Sequence, residues 1–257
     1  MARRRFFVEA VHRGHAQITG ADAHHLTRVL RVEAGQKFEI SDNSSVYLAE
    51  VESARKDLVS FAIIEPLEVA QSESVLHARL FASLIKFERF EWLIEKATEL
   101  GVERVTPLET DRSEKGLEQA AGKRLPRWNR IAREASEQSR RARLPVIDSP
   151  IKLAEALPCT GEHRYALDEA EARPIFSAIP AGRERGAQVL VLAGPEGGWT
   201  DRERAKIAAA NWTSVSLGDA ILRAETAAIA ALAILSAAWA DGRSGRPLPY
   251  GRGSEAR

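Results

Sequence analysis

The sequence predicts an α/β protein in two parts: a small, mostly β module, then a larger parallel sheet covered by helices on both faces. Two observations lead there. Over residues 1–65, short β-branched and aromatic runs are separated by turn residues and interrupted by one helix. From Leu76 onward, apolar strands alternate with helical segments, as in a sheet built through crossover helices. A third observation, the length of 257 residues, exceeds a usual single domain and favours two unequal ones. The expected division is 1–70 for the β module, 74–241 for the α/β unit and 242–257 for a flexible tail.

In the first module Arg5–Val8, Lys37–Ser41, Val46–Glu52 and Leu58–Glu65 read as strands, with Asp42-Asn43-Ser44 as turn chemistry. Ala21–Arg31 reads as a helix, because Leu26, Val29 and Leu30 recur at helical spacing. His24, His25, Arg28 and Arg31 occupy its other faces. Pro66–Ser74 is polar and aperiodic, which marks a linker. Leu76–Ile85 is a nearly continuous apolar strand. Glu88–Leu100 is a helix with Phe90, Leu93, Ile94, Ala97 and Leu100 on one face, stopped by Gly101 at its C-cap. Val102–Leu108 is the next strand and Ala120–Arg143 a long basic helix. Tyr165–Leu167, Gln188–Ala193 and Val215–Leu217 complete the strands, and Ala227–Ala240 is a very apolar helix. From Asp241 the chain is rich in Gly, Pro, Ser and Arg, a composition that frays or stays disordered.

Composition narrows the function classes. The net charge of +1 conceals ten Lys/Arg against four Glu between Arg112 and Arg143. That local excess suits a phosphate-rich partner and equally suits a solvated helix face. A single cysteine, Cys159, excludes an intramolecular disulfide and a multi-thiolate zinc site. The six histidines form no metal set, so no metal is expected. The apolar run Thr226–Ala240 is too short to span a bilayer, and no signal-peptide pattern follows Arg3-Arg4-Arg5. A cytoplasmic protein without a membrane partner is expected.

The strongest functional signal is a pair of loops. One is Leu192-Ala193-Gly194-Pro195-Glu196-Gly197-Gly198-Trp199-Thr200; the other is Leu217-Gly218-Asp219-Ala220-Ile221-Leu222-Arg223-Ala224-Glu225-Thr226-Ala227. Each places glycine where an apolar strand ends and a helix begins. Open α/β sheets bind small molecules at that edge, so the two loops read as two walls of one pocket. Thr200 caps the next helix, with Glu203 completing a capping box. The first loop lacks the Gly-Lys-Ser/Thr of a Walker A loop and the glycine spacing of dinucleotide folds. In the second, Ile221 and Leu222 offer an apolar patch for a purine ring. Arg223 and Glu225 form either a functional pair or a structural bridge at the helix start. Weaker candidates are Lys86, Glu95, Lys96, Glu99, Arg112 and Ser113, together with Glu134, Gln138 and Arg141 on one helical face and Glu137 and Arg140 beside them.

Taken together, these strings resemble the RsmE-type methyltransferases of the SPOUT superfamily. The resemblance lies in His24-His25-Leu26 with Val29-Leu30-Arg31; in Glu95-Lys96 with Glu99-Leu100-Gly101-Val102; in Pro107 and Arg112-Ser113; and in Glu134-Ala135, Glu137-Gln138-Ser139 and Arg141. It is most specific in the two glycine loops, and it runs from Arg5 to Trp239. It implies an N-terminal PUA-like β-barrel that binds RNA and a C-terminal SPOUT-type methyltransferase domain with a deep trefoil knot, working as a homodimer. It further implies S-adenosylmethionine as cofactor and N3 of one uridine of 16S rRNA, in the 30S ribosomal subunit, as the methylated atom (U1498 in the family's usual numbering).

By the same resemblance, the cofactor residues fall on Leu192, Gly194, Glu196, Gly197, Gly198, Leu217, Gly218, Ile221, Leu222, Arg223 and Thr226. The segment Leu167-Asp168-Glu169 lies in a variable part of the family pattern, so no cofactor contact is assigned there. A sulfonium methyl is already electrophilic, leaving alignment and proton removal to the protein. Arg112, Arg140 and Arg223 are the candidates to stabilise a uracil anion, and Glu225 is the candidate base. Arg5, His25, Arg28, Arg31, Lys123, Arg124 and Arg130 are the candidate RNA contacts. Two other classes remain open: a SPOUT enzyme acting on another RNA such as transfer RNA, and a non-catalytic RNA-binding assembly protein.

Overall fold

A computed structural model of the chain describes residues 4–67, 75–170 and 172–241. The expected flexible tail and most of the expected linker lie outside the described residues. The N-terminal part is a six-stranded sheet of β1 (Arg5–Phe7), β2 (Val11–His12), β3 (His15–Thr19), β4 (Lys37–Ser41), β5 (Val46–Arg55) and β6 (Leu58–Leu67). Their order is β1-β4-β5-β6-β3-β2, antiparallel throughout except where β1 lies parallel to β4. The long β5–β6 pair carries register shifts at Leu48/Ala49 and Val51/Ser53, irregularities that bend a strand pair. Phe6, Ile18, Ile40, Val51, Val59 and Phe61 form its core.

Two features of this module depart from the sequence reading. A β2–β3 hairpin is present, because Arg13 and Gly14 both take positive φ (47° and 78°), the backbone of a tight type I′ turn. The helix α1 (Gly20–Arg28) is shorter than expected. Val29 is 64% exposed and Arg31 turns left-handed, so the buried stripe reduces to Ala23 and Leu26. Val32 takes the buried place instead and donates its N–H to the Leu26 carbonyl at 3.1 Å.

The second sheet contains β7 (Leu76–Ser83), β8 (Arg104–Glu109), β9 (Val146–Ile147), β10 (Ile151–Lys152), β11 (His163–Leu167), β12 (Arg173–Pro174), β13 (Ala187–Ala193) and β14 (Thr213–Ser216). Its order is β10-β8-β7-β13-β11-β14-β12, with β9 also on β8, and every pairing is parallel. Helices α2 (Phe87–Glu99), α3 (Leu117–Ala121), α4 (Leu125–Gln138), α5 (Leu153–Ala156), α6 (Ile175–Ala178) and α7 (Asp201–Ala209) lie between the strands, and α8 (Ala224–Ala240) follows the last of them. Side chains of β13 alternate between two cores. Val189 and Val191 join Phe90, Trp128, Leu232 and Trp239 beneath α2, α4 and α8. Leu190 and Leu192 join Leu153, Trp199, Ile207 and Trp212 beneath α5 and α7. Both faces are therefore covered, as the near-continuous apolar strands require.

The expected single basic helix from Ala120 to Arg143 is broken. A 3₁₀ turn at Gly122–Arg124 separates α3 from α4, and Arg140 at φ 57° ends α4. Glu134 and Gln138 lie on α4, but Arg141 lies beyond it, so the three do not share a helical face. Arg141 instead turns to the end of α2, donating from Nη1 to the Thr98 carbonyl at 2.8 Å. Burial lowers its pKa to about 10.

The same reversal builds the junction between the two parts. Arg5, 7% exposed, donates from Nε and Nη2 to Glu39 Oε2 (3.1 and 2.8 Å) and from Nη1 to the Arg140 carbonyl (2.7 Å). The Arg140 guanidinium bonds the other oxygen of Glu39. Ser41 Oγ donates to the Ala142 carbonyl at 2.6 Å, Asn43 Oδ1 accepts from the Leu144 amide at 2.7 Å, and Arg133 donates to the Phe7 carbonyl at 3.1 Å.

Candidate functional site

Parallel pairing sets the carboxyl ends of β13, β11 and β14 side by side, with Tyr165 opposite Val191 and Leu167 opposite Val215. The loops that leave these ends converge. Gly194, Pro195, Glu196 and Gly198 from the first face Leu217, Gly218, Ala220 and Leu222 from the second, across one cleft. Leu167, Asp168 and Glu169 close its third side. About 650 Å³ lies between these walls, the solvent at the open mouth included.

Local chemistry explains the shape of the first wall. A Cβ on Gly194 would sit 3.1 Å from Cε2 of Trp199, a tight contact that glycine avoids where the chain passes over that ring. Gly198 takes φ +67°, which favours glycine again. Trp199 is buried and its Nε1 donates to the Leu167 carbonyl at 2.8 Å, bracing the loop against β11. The capping box at α7 is present: Thr200 Oγ1 accepts from the Glu203 amide at 3.2 Å, and Glu203 Oε2 accepts from the Thr200 amide at 2.9 Å. Buried Glu203 also accepts the Asp111 amide at 2.9 Å, which moors the loop after β8 to the same corner. Arg112 from that loop donates to the Gly197 carbonyl at 2.6 Å.

The third side was not legible as a wall. Asp168 is held by Arg204 through two bonds (2.8 and 3.2 Å), and hydrogen bonding to Asp168 raises the arginine pKa further. Glu169 is exposed beside it and faces the cleft.

The residues singled out by sequence divide by position. Gly194, Glu196, Gly198, Leu217, Gly218 and Leu222 line the cleft. Leu192 lies behind it in the core, and Gly197 lies on the outer side against Arg112. Ile221 is 85% exposed, and Arg223, the N-cap of α8, and Thr226 are exposed outside the lining.

Glu225 differs from its expected role. It is 4% exposed and absent from the cleft wall, and its nearest cation is Arg89 (Nε to Oε1, 3.9 Å), not Arg223. The Arg223–Glu225 bridge, one of the two alternatives for this pair, is therefore not formed, and the candidate base Glu225 lies buried behind the cleft lining. Arg89 also pairs with Glu196 at 3.3 Å and escaped the sequence reading, since its partners lie over a hundred residues away in the chain.

The two arginines of the junction also need correction. Arg140, expected to face a uracil anion, is committed to Glu39 and lies outside the cleft lining. Arg5, expected to touch RNA, is buried in the same network. The remaining cations are at the surface. His25, Arg28, Arg31 and Lys123 are exposed. Arg130 pairs with Glu134 at 2.8 Å, and Arg124 lies 3.5 Å from Glu91 and over the Phe87 ring. Among the described residues no His, Cys, Asp and Glu side chains gather as a metal set, and no helix is long and apolar enough to cross a membrane.

Comparison with known proteins agrees with both halves of the fold. Residues 72–236 match the RNA methyltransferase domain family and residues 18–64 the RNA methyltransferase PUA domain family. The ribosomal RNA small subunit methyltransferase E of Bacillus subtilis (strain 168) is 32% identical over 228 residues, covering 85% of this chain and 88% of that protein. Its counterpart from Synechocystis sp. (strain ATCC 27184 / PCC 6803 / Kazusa) is 34% identical over 226 residues, 86% of this chain and 72% of that one. Among solved structures, a Legionella pneumophila methyltransferase in complex with its bound cofactor SAM superposes with a TM-score of 0.83 at 29% identity, covering 93% of this chain and 98% of that one. The Neisseria gonorrhoeae ribosomal RNA small subunit methyltransferase E bound to S-adenosyl methionine gives 0.82 at 28% identity, with the same coverage.

Proposed function

The chain belongs to the ribosomal RNA small subunit methyltransferase E family, and from that premise we propose that it methylates N3 of a specific uridine in the 16S rRNA of the 30S subunit, with S-adenosylmethionine as donor. The carrying observation is the convergence of the two glycine loops on one cleft. Its lining suits that cofactor. Leu217, Leu222, Ala220, Ala224 and Ala227 offer an apolar bed for adenine, and the Glu169 and Glu196 carboxylates offer negative charge for a sulfonium. The cofactor supplies, when bound, an electrophilic methyl group.

The remaining work falls to the protein. The glycine loop orients the cofactor through main-chain groups, and Leu192 backs that loop from the core. The uracil N3–H must give up its proton as the new N–C bond forms, which leaves charge on the flanking carbonyl oxygens. Arg112, beside Gly197, and exposed Arg223, at the head of α8, are the cations that stabilise this charge. Thr226 and Ile221 stand at the rim. The target base must leave its stack to enter the cleft. His25, Arg28, Arg31, Lys123, Arg124 and Arg130 hold the flanking phosphates.

The N-terminal module, 1–70, serves as the RNA-holding PUA-like barrel, and 74–241 as the catalytic SPOUT domain. Support for the SPOUT knot comes from the strand order, with β14 beyond β11 and α8 returning over β7 and β13. A homodimer fits α8, which is apolar on all sides while Ile229, Ala230, Ala233 and Ile234 are only part-covered. An rRNA substrate supports a cytoplasmic location.

The test is mass mapping of 16S rRNA from cells lacking the protein, complemented by wild type and by Arg223→Ala. The uridine is expected unmodified in the deletion strain, restored by wild type and poorly restored by the variant. Parallel assays on purified 30S subunits and transfer RNA check the substrate. Normal modification in the deletion strain, or methylation of transfer RNA in place of 30S subunits, refutes the assignment.

A further inference from the structure

Arg89 occupies the first turn of α2, where the helix dipole disfavours a cation, so the local helix gives no reason for it. The reason is tertiary. Its Nη1 lies 3.3 Å from Glu196 Oε1 in the glycine-rich loop, and its Nε 3.9 Å from Glu225 Oε1 in the first turn of α8. Glu196 lines the cleft on one side. Glu225 lies in the turn whose neighbour Ala224 lines it on the other. The Glu225 side chain is nearly buried, and its Oε2 has no hydrogen-bond partner. Among the described residues Arg89 is the one cation within 4 Å of that carboxylate.

We propose that Arg89 is a positioning residue that sets the separation of the two cleft walls, by tying the glycine-rich loop to the first turn of α8 through Glu196 and Glu225. The inference rests on the cofactor cleft described above. Without the guanidinium, the two carboxylates that share it lose their common counter-charge, and Glu225 is left buried without one. The walls then part, and Glu196 loses the contact that fixes its direction. A lysine restores the charge but not the fork, so it bridges the two carboxylates less well than arginine.

The test uses the full-length protein with four variants: R89Q, R89K, E196Q and the double variant R89Q/E196Q. KM for S-adenosylmethionine, KM for 30S subunits and kcat are measured, with calorimetric S-adenosylmethionine binding and a melting curve for each. R89Q is expected to raise KM for S-adenosylmethionine about tenfold or more while KM for 30S subunits stays within about twofold. R89K falls between wild type and R89Q. In the E196Q background, R89Q is expected to cost less than it does alone, because one of the two ties is already cut. The proposal is overturned if R89Q leaves the cofactor KM unchanged, shifts both KM values alike, or costs as much without Glu196. Should R89Q fail to fold, R89K and R89K/E196Q complete the same cycle with the charge kept. Wild-type protein that binds no S-adenosylmethionine overturns the cleft assignment itself; wild-type binding matched by R89Q overturns this proposal alone.

Discussion

Replacing Gly194 by alanine adds one methyl group at the point where the first wall crosses Trp199. That carbon falls 3.1 Å from Cε2, 3.3 Å from Nε1 and 3.4 Å from Cδ2 of the indole, tight enough that ring or loop must give by a few tenths of an ångström. The ring has little room to retreat: it is 1% exposed, packed among Leu190, Leu192 and Ile207, and tied by its N–H to Leu167. The loop must therefore move instead. Forcing a methyl group into such a site costs about 1–3 kcal/mol. If the shift falls on the bound form, cofactor affinity drops about five- to 150-fold, at about 1.4 kcal/mol per factor of ten.

Calorimetry with S-adenosylmethionine and a melting curve on Gly194→Ala measure the two ways the strain can be released. Trp199→Phe supplies the control, since the smaller ring vacates the space at the expense of one hydrogen bond. In that background Gly194→Ala is expected to lose less affinity than it does alone. Unchanged affinity together with an unchanged melting point in Gly194→Ala would refute the reasoning that ring and glycine together shape this wall.

Glu137 at the junction is pushed up to about 7 by burial, against its ordinary value of 4.5. A raised carboxyl pKa stabilises the fold below its unfolded value, and that contribution is lost as pH rises through 7, by at most about 3 kcal/mol. Glu137→Gln should flatten the fall in melting temperature between pH 5 and pH 8 (approximate ends of that window); an unaltered pH profile counts against the assignment. Arg5→Met leaves Glu39 buried with one fewer partner and should lower stability by about 3–5 kcal/mol in denaturant titration, whereas Arg28→Ala, at the surface, should change it by less than about 0.5 kcal/mol. Equal effects of the two would deny Arg5 its place in the junction. Binding of 30S subunits should weaken steeply with salt, and Arg28→Ala with Arg31→Ala should reduce the slope of log K against log salt by about one to two. A slope indifferent to both changes would remove α1 from the RNA surface.

The cleft was legible because its chemistry is local. Gly194, Gly198 and Gly218 stand where apolar strands end, and the Thr200–Glu203 box is spelled within four residues, so loop and helix start can both be read from neighbours in the chain. What was missed is long-range or depends on one backbone angle. Nothing near Arg89 announces Glu196 and Glu225. The left-handed turn at Arg140, which divides Glu134 and Gln138 from Arg141, falls on a residue with no special tendency toward positive φ. The two-residue strands β9, β10 and β12 carry no periodicity at all and exist only because a neighbouring strand offers them partners. Asp168 and Glu169 fall in a variable part of the family pattern, so their role could not be read until the order β13-β11-β14 set them beside both glycine loops.

Charge density between Arg112 and Arg143 suits a phosphate-rich partner and a solvated helix face equally, yet most of those cations already have protein partners. Arg133, Arg140 and Arg141 bond backbone carbonyls or carboxylates of other elements, Arg124 and Arg127 share Glu91, and Arg112 holds the glycine loop. These partnerships differ in how readily they give way. The Arg130–Glu134 pair is largely exposed on both sides, and such pairs contribute only about 0.2–1 kcal/mol, so a phosphate can take the guanidinium at little cost. The Arg5–Glu39–Arg140 network is not exchangeable in that way, because opening it strands a buried carboxylate. Part of the basic segment therefore serves to clamp the barrel onto α4 and the turn that follows it. That clamp fixes the exposed cations of α1 relative to those at the start of α4. Under the proposed function, an RNA held by both would meet the cleft at a set angle, so the geometry of the junction would bear on which nucleotide comes near Arg112 and Arg223.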